Sequence, residues 1–364
     1  MRDFIALPRR LYAGCEQYVP DLDLDVRNTF RPGHNAGLEF CDVQPFVAYR
    51  DGVPVGRITA IINHHANQKW QEACVRFAFI EFEDDIKVAE ALLSTVEKWG
   101  RERGMTLIQG PLGITDFDKE GMLVDDFDLV GSMTAIYNPP YYPRHLEALG
   151  FTKAVDWLHV RIQVPAEVPV RYKRVAQYAR EQMGLHVRKM TRDEVLGEDG
   201  LRVFRLLNEA YSPLFEFSEF TTAQVREFLK KYISLIDLQL VPVVENDKGE
   251  MVGVAITMQS MTRALQQSHG RLFPIGWWHL LRALRQNRQD SAEMLLVAVH
   301  PEYQGMGVNA LFFDDLIPIY NKIGIRWAET GPSLEDNIHV LSQWKALNPS
   351  FVKRRRCYCK EIKD

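Results

Sequence analysis

The sequence predicts an α/β protein in which one fold occurs twice in tandem. Both halves show a hairpin, a strand, a helix and a further strand in the same order, and each series ends in Gly-Pro, at residues 110–111 and 331–332. The hairpin turns also correspond, since Lys-Gly-Glu-Met-Val-Gly at 248–253 parallels Asp-Gly-Val-Pro-Val-Gly at 51–56. A repeat of this length indicates duplicated domains, and 364 residues suffice for two of ordinary size.

Composition narrows the class of protein. Hydrophobic residues make up 46% of the chain and charged residues 25%, as in soluble globular proteins, and the net charge of −4 gives no reason to expect nucleic-acid binding. No apolar run approaches the roughly 18 residues that a membrane span needs. The apolar stretch near the start is too short for a signal peptide. The five cysteines are odd in number and scattered, so we expect reduced thiols and a cytoplasmic protein.

The first half of the chain predicts a hairpin, a strand, a helix and a further strand. Two β-branched runs flank Asp51-Gly52, which predicts a hairpin over residues 46–62. A strand is expected at 76–82, a helix at 88–102 and a strand at 106–109.

A long acidic loop follows at 112–137. Three interpretations stay open for it: a solvated loop, a cleft wall that attracts a cationic amine, or a metal site. Its acids are Asp116, Asp118, Glu120, Asp125, Asp126 and Asp128. Asn138 and the pair Tyr141 and Tyr142 come next, and the tyrosines could line a cleft or pack a helix.

The prolines of residues 164–170 mark a boundary. We therefore predict a first domain at 1–164, a linker at 165–184 and a second domain at 185–364. The second domain should contain a strand at 185–189, helices at 201–211 and 221–236, and a hairpin of strands 238–245 and 251–259.

The second half carries an insertion, residues 263–289, that has no counterpart in the first. We favour a lid with arginines toward phosphates, or a segment that docks the two copies, over a nucleic-acid or membrane surface. Its basic and aromatic residues are Arg263, Arg271, Arg282, Arg285, Arg288, Trp277, Trp278 and His279.

Residues 293–310, Glu-Met-Leu-Leu-Val-Ala-Val-His-Pro-Glu-Tyr-Gln-Gly-Met-Gly-Val-Asn-Ala, are the centre of the functional prediction. The apolar run 294–299 predicts a buried strand, His300-Pro301 ends it, and a helix is expected from Val308. A strand, a glycine bend and a helix N-terminus form an anion site, because several N–H groups and the helix dipole converge there.

These residues resemble the acyl-CoA-binding motif of the GNAT acetyltransferases, whose pattern is Gln or Arg, two residues, Gly, one residue, then Gly or Ala. Gln304 and Gly307 fit this pattern, and Asn309 departs from it. The resemblance implies two tandem GNAT folds, each a mixed, mostly antiparallel sheet flanked by helices, with acetyl-CoA or another acyl-CoA as co-substrate and no metal. The implied acyl-CoA residues are Leu296, Val297, Ala298, Val299, Gln304, Gly305, Met306, Gly307, Val308, Asn309, Ala310, Asn337 and Trp344.

The resemblance also suggests catalytic residues. A Glu near the start of the fourth strand is the general base in the histone-acetyltransferase branch, which makes Glu293 the first choice, Glu329 the second and His300 the third. Many GNAT enzymes protonate the leaving thiolate with a Tyr, but Trp344 stands at that spacing after Asn337. Water or another tyrosine (Tyr303, Tyr141 or Tyr142) would then supply the proton.

Three functions follow from these observations. The first is an acyl-CoA-dependent N-acyltransferase that acts on an amine of a small molecule or peptide, with the acyl-CoA in the second copy. In the first copy the four carboxylates of residues 81–85 would repel a diphosphate. The second is a non-catalytic tandem GNAT fold that binds acyl-CoA or a protein partner. The third, aminoacyl transfer from a charged tRNA, is disfavoured by the CoA motif and the acidic net charge.

Overall fold

A computed structural model describes residues 1–285 and 289–363 of the chain. The helices are α1 (Arg2–Leu11), α2 (Asp23–Thr29), α3 (His64–Trp70), α4 (Ile86–Arg101), α5 (Tyr141–Ala148), α6 (Val170–Met183), α7 (Arg192–Leu196), α8 (Glu198–Tyr211), α9 (Thr222–Tyr232), α10 (Thr262–Ser268), α11 (Gly276–Arg285), α12 (Val308–Ile323) and α13 (Ile338–Ser342). The strands are β1 (Cys41–Arg50), β2 (Val53–Asn63), β3 (Cys74–Phe82), β4 (Leu107–Gly110), β5 (Met122–Leu123), β6 (Thr152–Gln163), β7 (His186–Lys189), β8 (Pro242–Glu245), β9 (Met251–Gln259), β10 (Ser291–Val299), β11 (Trp327–Thr330), β12 (Ser333–Leu334) and β13 (Ser350–Glu361).

The chain divides into two compact units whose limits differ from the domain limits that the sequence predicts. Unit 1 contains Met1–Leu158, Met261–Leu281 and the chain from Val352. Unit 2 contains His159–Ser260 and Arg282–Phe351. The difference arises because sheet pairing is non-local: the last residues of β13, Tyr358 to Glu361, follow unit 2 in the sequence but pair with β4 of unit 1.

Unit 1 is a sheet with helix α4 packed on it. Its strand order is β1-β2-β3-β4-β13-β6, and β5 pairs with β13. The predicted hairpin is confirmed, since β1 and β2 pair antiparallel across Asp51-Gly52. Strands β3 and β4 are parallel. The apolar face of α4, including Leu92 and Val96, is buried with Phe77 of β3.

Unit 2 repeats this arrangement. Its strand order is β6-β11-β10-β9-β8-β7, with β10 and β11 parallel and the other neighbouring pairs antiparallel. Helices α8 and α9 follow β7, as predicted, and Thr221 caps α9 in a capping box with Gln224. The sheet packs on α12 through a core that contains Met294, Leu311 and Phe313.

The segment at 165–184, predicted as a linker, is largely helix α6. Tyr172, Ala176 and Ala179 are buried on one face of α6, in the same core as α12. The sequence obscured this helix because its contact face consists mainly of alanines, which carry little periodic hydrophobicity. Gly184 ends α6 in the left-handed conformation.

The insertion forms α10 and α11, and residues 261–281 belong to unit 1. It is attached to the segment 16–23: the Gln266 side chain donates to the carbonyl oxygens of Glu16 (2.7 Å) and Tyr18 (3.1 Å). The Asp23 N–H also donates to the Gly270 carbonyl at 2.8 Å. Arg288 lies outside the described residues.

The acidic loop is more ordered than a purely solvated loop would be. Asp118 accepts hydrogen bonds from the N–H groups of Ile114 and Thr115, both at 2.9 Å, and Asp126 accepts one from the Lys353 N–H at 2.7 Å. Over residues 1–285 and 289–363, no group of three or more His, Cys, Asp or Glu side chains is placed to hold a metal ion. In the same described ranges, no helix is long and apolar enough to cross a bilayer.

Candidate functional site

The N-terminus of α12 is reached through two glycines with different surroundings. Gly305 and Gly307 both have left-handed backbones, with φ of 78° and 90°. A Cβ on Gly305 would meet nothing within 4 Å, whereas a Cβ on Gly307 would lie 2.6 Å from Cγ1 of Val175 in α6. Gly307 therefore allows close helix packing, and Gly305 leaves open space in front of the helix.

This helix end is suited to an anion. The N-cap residue Gly307 has no side chain to cap α12, and the Ala310 N–H bonds the Gly307 carbonyl at 2.9 Å. The N–H groups of Val308 and Asn309 are those that a ligand could use. The Asn309 carboxamide has a buried Oδ1 with no hydrogen-bond partner among the described residues. Gln304 is exposed and donates from Nε2 to the Val299 carbonyl at 3.2 Å, while Val308 and Ala310 are buried behind the turn. The helix end without a side-chain cap fits a diphosphate group, whereas Asn309 Oδ1 is itself an acceptor and does not bond a phosphate oxygen.

Strand β10 has one edge that separates from β11. The two strands pair from Ser291 to Met294, and the Gly331 N–H then donates to the Met294 carbonyl at 2.8 Å. Beyond this point β10 continues along β9, in a register that pairs Val297 with Ala255. The segment 296–299 is the part of β10 that the sequence assigned to the pantetheine.

Tyr211, the last residue of α8, lies at this edge. Its hydroxyl donates to the Val297 carbonyl at 3.0 Å and accepts from the Val297 N–H at 3.3 Å. In an antiparallel pair the N–H and C=O of one residue point to the same side. Both groups of Val297 therefore point away from β9, into the gap that opens between β10 and β11.

Two buried carboxylates stand side by side where β10 and β11 still pair. Glu293 and Glu329 are register partners on parallel strands, so their side chains share one face of the sheet. Glu329 accepts from Arg161 at 2.8 Å and has His159 Nδ1 at 3.6 Å. Glu293 accepts from the neutral Ser260 hydroxyl at 2.9 Å. The Arg161 guanidinium stabilises negative charge on Glu329.

His300, the third catalytic choice, lies at the other end of β10. Strand spacing puts it on the order of 20 Å from Glu293. Its Nδ1 accepts from the Glu302 N–H at 3.3 Å, and its Nε2 is 3.5 Å from Glu209. The structure therefore brings Glu293 and Glu329 together and leaves His300 apart.

Asn337 and Trp344 occupy structural positions. Asn337 caps α13, because its Oδ1 accepts from the Val340 N–H at 3.2 Å. Trp344 is buried, with its ring centroid 5.4 Å from that of Phe313. Its place in the core explains an indole here, and a role in acyl-CoA binding stays a prediction for both residues.

The tyrosines considered from the sequence are engaged elsewhere. The Tyr303 hydroxyl is 3.1 Å from Asn246 Nδ2. In unit 1, the Tyr142 hydroxyl donates to the buried Glu81 carboxylate at 2.9 Å, and Tyr141 donates to the Phe82 carbonyl at 2.7 Å. Burial raises the pKa of Glu81, although Arg57 and the hydroxyls of Tyr12 and Tyr142 act against this shift.

No protein-family model matches the chain. A tandem GNAT protein from the clavulanic acid biosynthesis pathway has a TM-score of 0.55 at 15% identity, covering 100% of this chain and 94% of that one. A GCN5-related N-acetyltransferase from Sphaerobacter thermophilus gives 0.55 at 14% identity, with coverage of 100% and 94%. The chain thus has the tandem GNAT fold, and that prediction is confirmed.

Two proteins are similar in sequence. A bacterial ceramide synthase from Caulobacter vibrioides is 29% identical over 306 residues, which is 84% of this chain and 79% of that protein. Protein YghO from Escherichia coli is 25% identical over 368 aligned residues, covering 100% of this chain and 93% of that one.

Sequence reasoning missed Tyr211, Ser260 and Arg161. Tyr211 contacts Val297 across 86 positions of sequence, and no local pattern indicates such a contact. Arg161 could have been found, because it alternates with His159 along a strand next to the predicted boundary. Two polar side chains facing one way in a predicted strand indicate either a solvated face or a buried polar network.

Proposed function

We propose that this protein is an acyl-CoA-dependent N-acyltransferase that binds its acyl-CoA in unit 2. One observation supports this most: the Val297 N–H and C=O point into the gap beside β10, and the chain from this edge leads to the uncapped N-terminus of α12. A pantetheine could pair with the strand edge while the diphosphate lies at the helix.

In the proposed reaction, the acceptor amine attacks the thioester carbonyl carbon. A C–N bond forms, the C–S bond breaks, and CoA leaves as a thiol. The Val297 N–H is the proposed donor to the oxyanion, taking the thioester oxygen in place of the Tyr211 hydroxyl. Tyr211 is then the proposed proton donor to the thiolate, and it regains a proton, through water, from the nitrogen that becomes the amide. The sequence offered no tyrosine at the usual spacing for this role.

Glu293 is the proposed base that removes the proton from the acceptor ammonium. Glu293 is buried, accepts from the Ser260 hydroxyl and lies beside Glu329 where β10 and β11 still pair. Strand spacing puts Val297 at most about 13 Å from Glu293, so the proton would reach the carboxylate through water.

The similarity to a ceramide synthase bears on the substrates. A ceramide is the amide of a fatty acid with a long-chain amino alcohol, so we propose a long-chain acyl-CoA and a long-chain amine. Acetyl-CoA with a small amine, the expectation from the sequence, is the alternative pair. The cytoplasmic location stays a prediction.

The experiment is thiol release from acetyl-CoA and palmitoyl-CoA, each with a small amine and with a long-chain amino alcohol. We expect the long-chain pair to react, and Glu293→Gln to lower kcat by about 100-fold or more. Glu329→Gln should cost less in kcat than Glu293→Gln if Glu293 is the base. Glu302→Gln, an exposed acid beyond the same strand, is the matched control and should keep wild-type turnover.

A second candidate is a non-catalytic acyl-CoA-binding protein, favoured by Trp344 where the usual proton donor would stand. If calorimetry shows that acyl-CoA binds, and no amine tested causes release of the CoA thiol, the result would support that candidate over the enzyme. Absence of acyl-CoA binding would reject both. Tyr211→Phe separates the roles further, because it should lower kcat while acyl-CoA affinity is retained.

A further inference from the structure

We propose that the segment 271–285, at the end of the insertion, docks the protein on the surface of an anionic lipid bilayer. This inference goes beyond the acyl-transfer reaction and departs from the expectation that a membrane surface is unlikely. It rests on side-chain exposure, which the sequence alone does not give.

Four large apolar side chains are exposed within a few residues of one another. Phe273 is 78% exposed, Ile275 63%, Trp277 45% and Trp278 52%. Scattered single apolar residues are normal on protein surfaces, but a contiguous group marks an interaction site. Two tryptophans in such a group favour a bilayer, because indole rings prefer the boundary between lipid and water.

The backbone N–H groups of both tryptophans are hydrogen-bonded within the segment, as an element entering lipid requires of its polar groups. The Trp277 N–H donates to the Leu272 carbonyl at 2.8 Å, and the Trp278 N–H donates to the Ile275 carbonyl at 3.0 Å. The Trp277 indole Nε1 donates to the Pro274 carbonyl at 3.0 Å. A Cβ on Gly276 would lie 1.7 Å from the Arg271 carbonyl oxygen, so glycine allows the tight turn that presents these side chains.

The charge of the surrounding sequence complements an anionic surface. From residue 251 to 289 the chain contains no Asp or Glu, although its net charge is −4. Arg271, Arg282 and Arg285 border the apolar group and are exposed. An amphipathic helix with arginines beside tryptophans is typical of segments that lie in the bilayer interface.

The test is co-sedimentation of the full chain with vesicles, without acyl-CoA or amine, so that it stands apart from the acyl-transfer assay. We expect binding to vesicles of phosphatidylcholine with phosphatidylglycerol, and weaker binding to phosphatidylcholine alone. Phe273→Gln with Ile275→Gln should weaken binding roughly tenfold or more. Arg271→Gln with Arg285→Gln should weaken it by a similar factor at low salt only.

Tyr178→Gln is the matched control, because Tyr178 is an exposed aromatic residue of α6 that lies outside the segment. It should bind vesicles like the wild type. Circular dichroism must show that every variant remains folded. Absence of vesicle binding by the wild type, or equal binding by the Phe273 and Ile275 variant, would overturn the proposal. So would concentration-dependent dimers that this variant abolishes, because the group would then join two copies of the chain.

Discussion

Helices α4 and α12 follow equivalent strands in the two units, and their N-termini differ in one respect. Asp85 caps α4, with its Oδ1 accepting from the Lys87 N–H at 2.9 Å. Gly307 precedes α12 and contributes no side chain. Unit 1 thus places a carboxylate at a helix N-terminus, where negative charge is favourable, and the N-cap residue of α12 in unit 2 supplies none.

The gap beyond the parallel strand pair differs in the same way. In unit 1 the Leu112 N–H donates to the Phe77 carbonyl at 3.0 Å, so the chain after β4 bonds to β3 where the strands separate. In unit 2 the Val297 N–H and C=O at the corresponding edge bond the side-chain hydroxyl of Tyr211 and not the main chain. The two copies therefore share a sheet and differ in a few local contacts at the helix end and the strand edge.

The largest expected effect is on acyl-CoA affinity, when an aspartate is placed before α12 as Asp85 stands before α4. Gly305→Asp places a carboxylate before α12 in a left-handed position that Asp tolerates better than most residues. We expect calorimetry to show acyl-CoA affinity reduced by about 100-fold through repulsion of the diphosphate. Gly305→Asn is the uncharged control of nearly equal shape. Equal losses for both variants would mean that space, and not charge, determines binding.

The second prediction compares the two glycines of unit 2. Gly307→Ala should lower the free energy of unfolding by about 3 kcal/mol, because backbone strain adds to the contact with Val175. Gly305→Ala should cost only about 1 kcal/mol, since open space surrounds it. Urea denaturation measures both values. A cost for Gly307→Ala no larger than that for Gly305→Ala would contradict the packing role.

The smallest effect is expected in unit 1. The Lys87 N–H, and then Arg50, lower the pKa of Asp85 from its usual value of 3.8. A carboxyl whose pKa is lowered by folding stabilises the protein above its unfolded pKa, and this contribution is lost as pH falls through the folded pKa. Asp85→Ala should therefore lower Tm slightly at neutral pH, and the difference from wild type should shrink below about pH 4.

Asp85→Ala should not create a second acyl-CoA site, because Glu83 and Asp84 still precede α4. Calorimetric stoichiometry should stay at the wild-type value. A rise in stoichiometry would show that the Asp85 carboxylate alone prevents acyl-CoA from binding at the N-terminus of α4.

Local signals predicted much of the fold and part of the site. The Asp51-Gly52 turn, the start of the helix predicted from residue 221 and the glycine bend before Val308 each depend on residues close in sequence, and the structure has each where expected. Helix α6 was not predicted, because its buried face consists mainly of alanine and shows little periodic hydrophobicity. Tyr211 and the pairing of β13 depend on contacts across long stretches of sequence, which periodicity cannot report.

The position of β13 has a consequence for synthesis of the protein on the ribosome. Its residues from Tyr358 to Glu361 pair with β4, which is made some 250 positions earlier. The edge of β4 in unit 1 therefore stays unpaired on the ribosome until the residues of unit 2 and then β13 have been translated. Chaperones that shield exposed strand edges should bind this nascent chain during that interval.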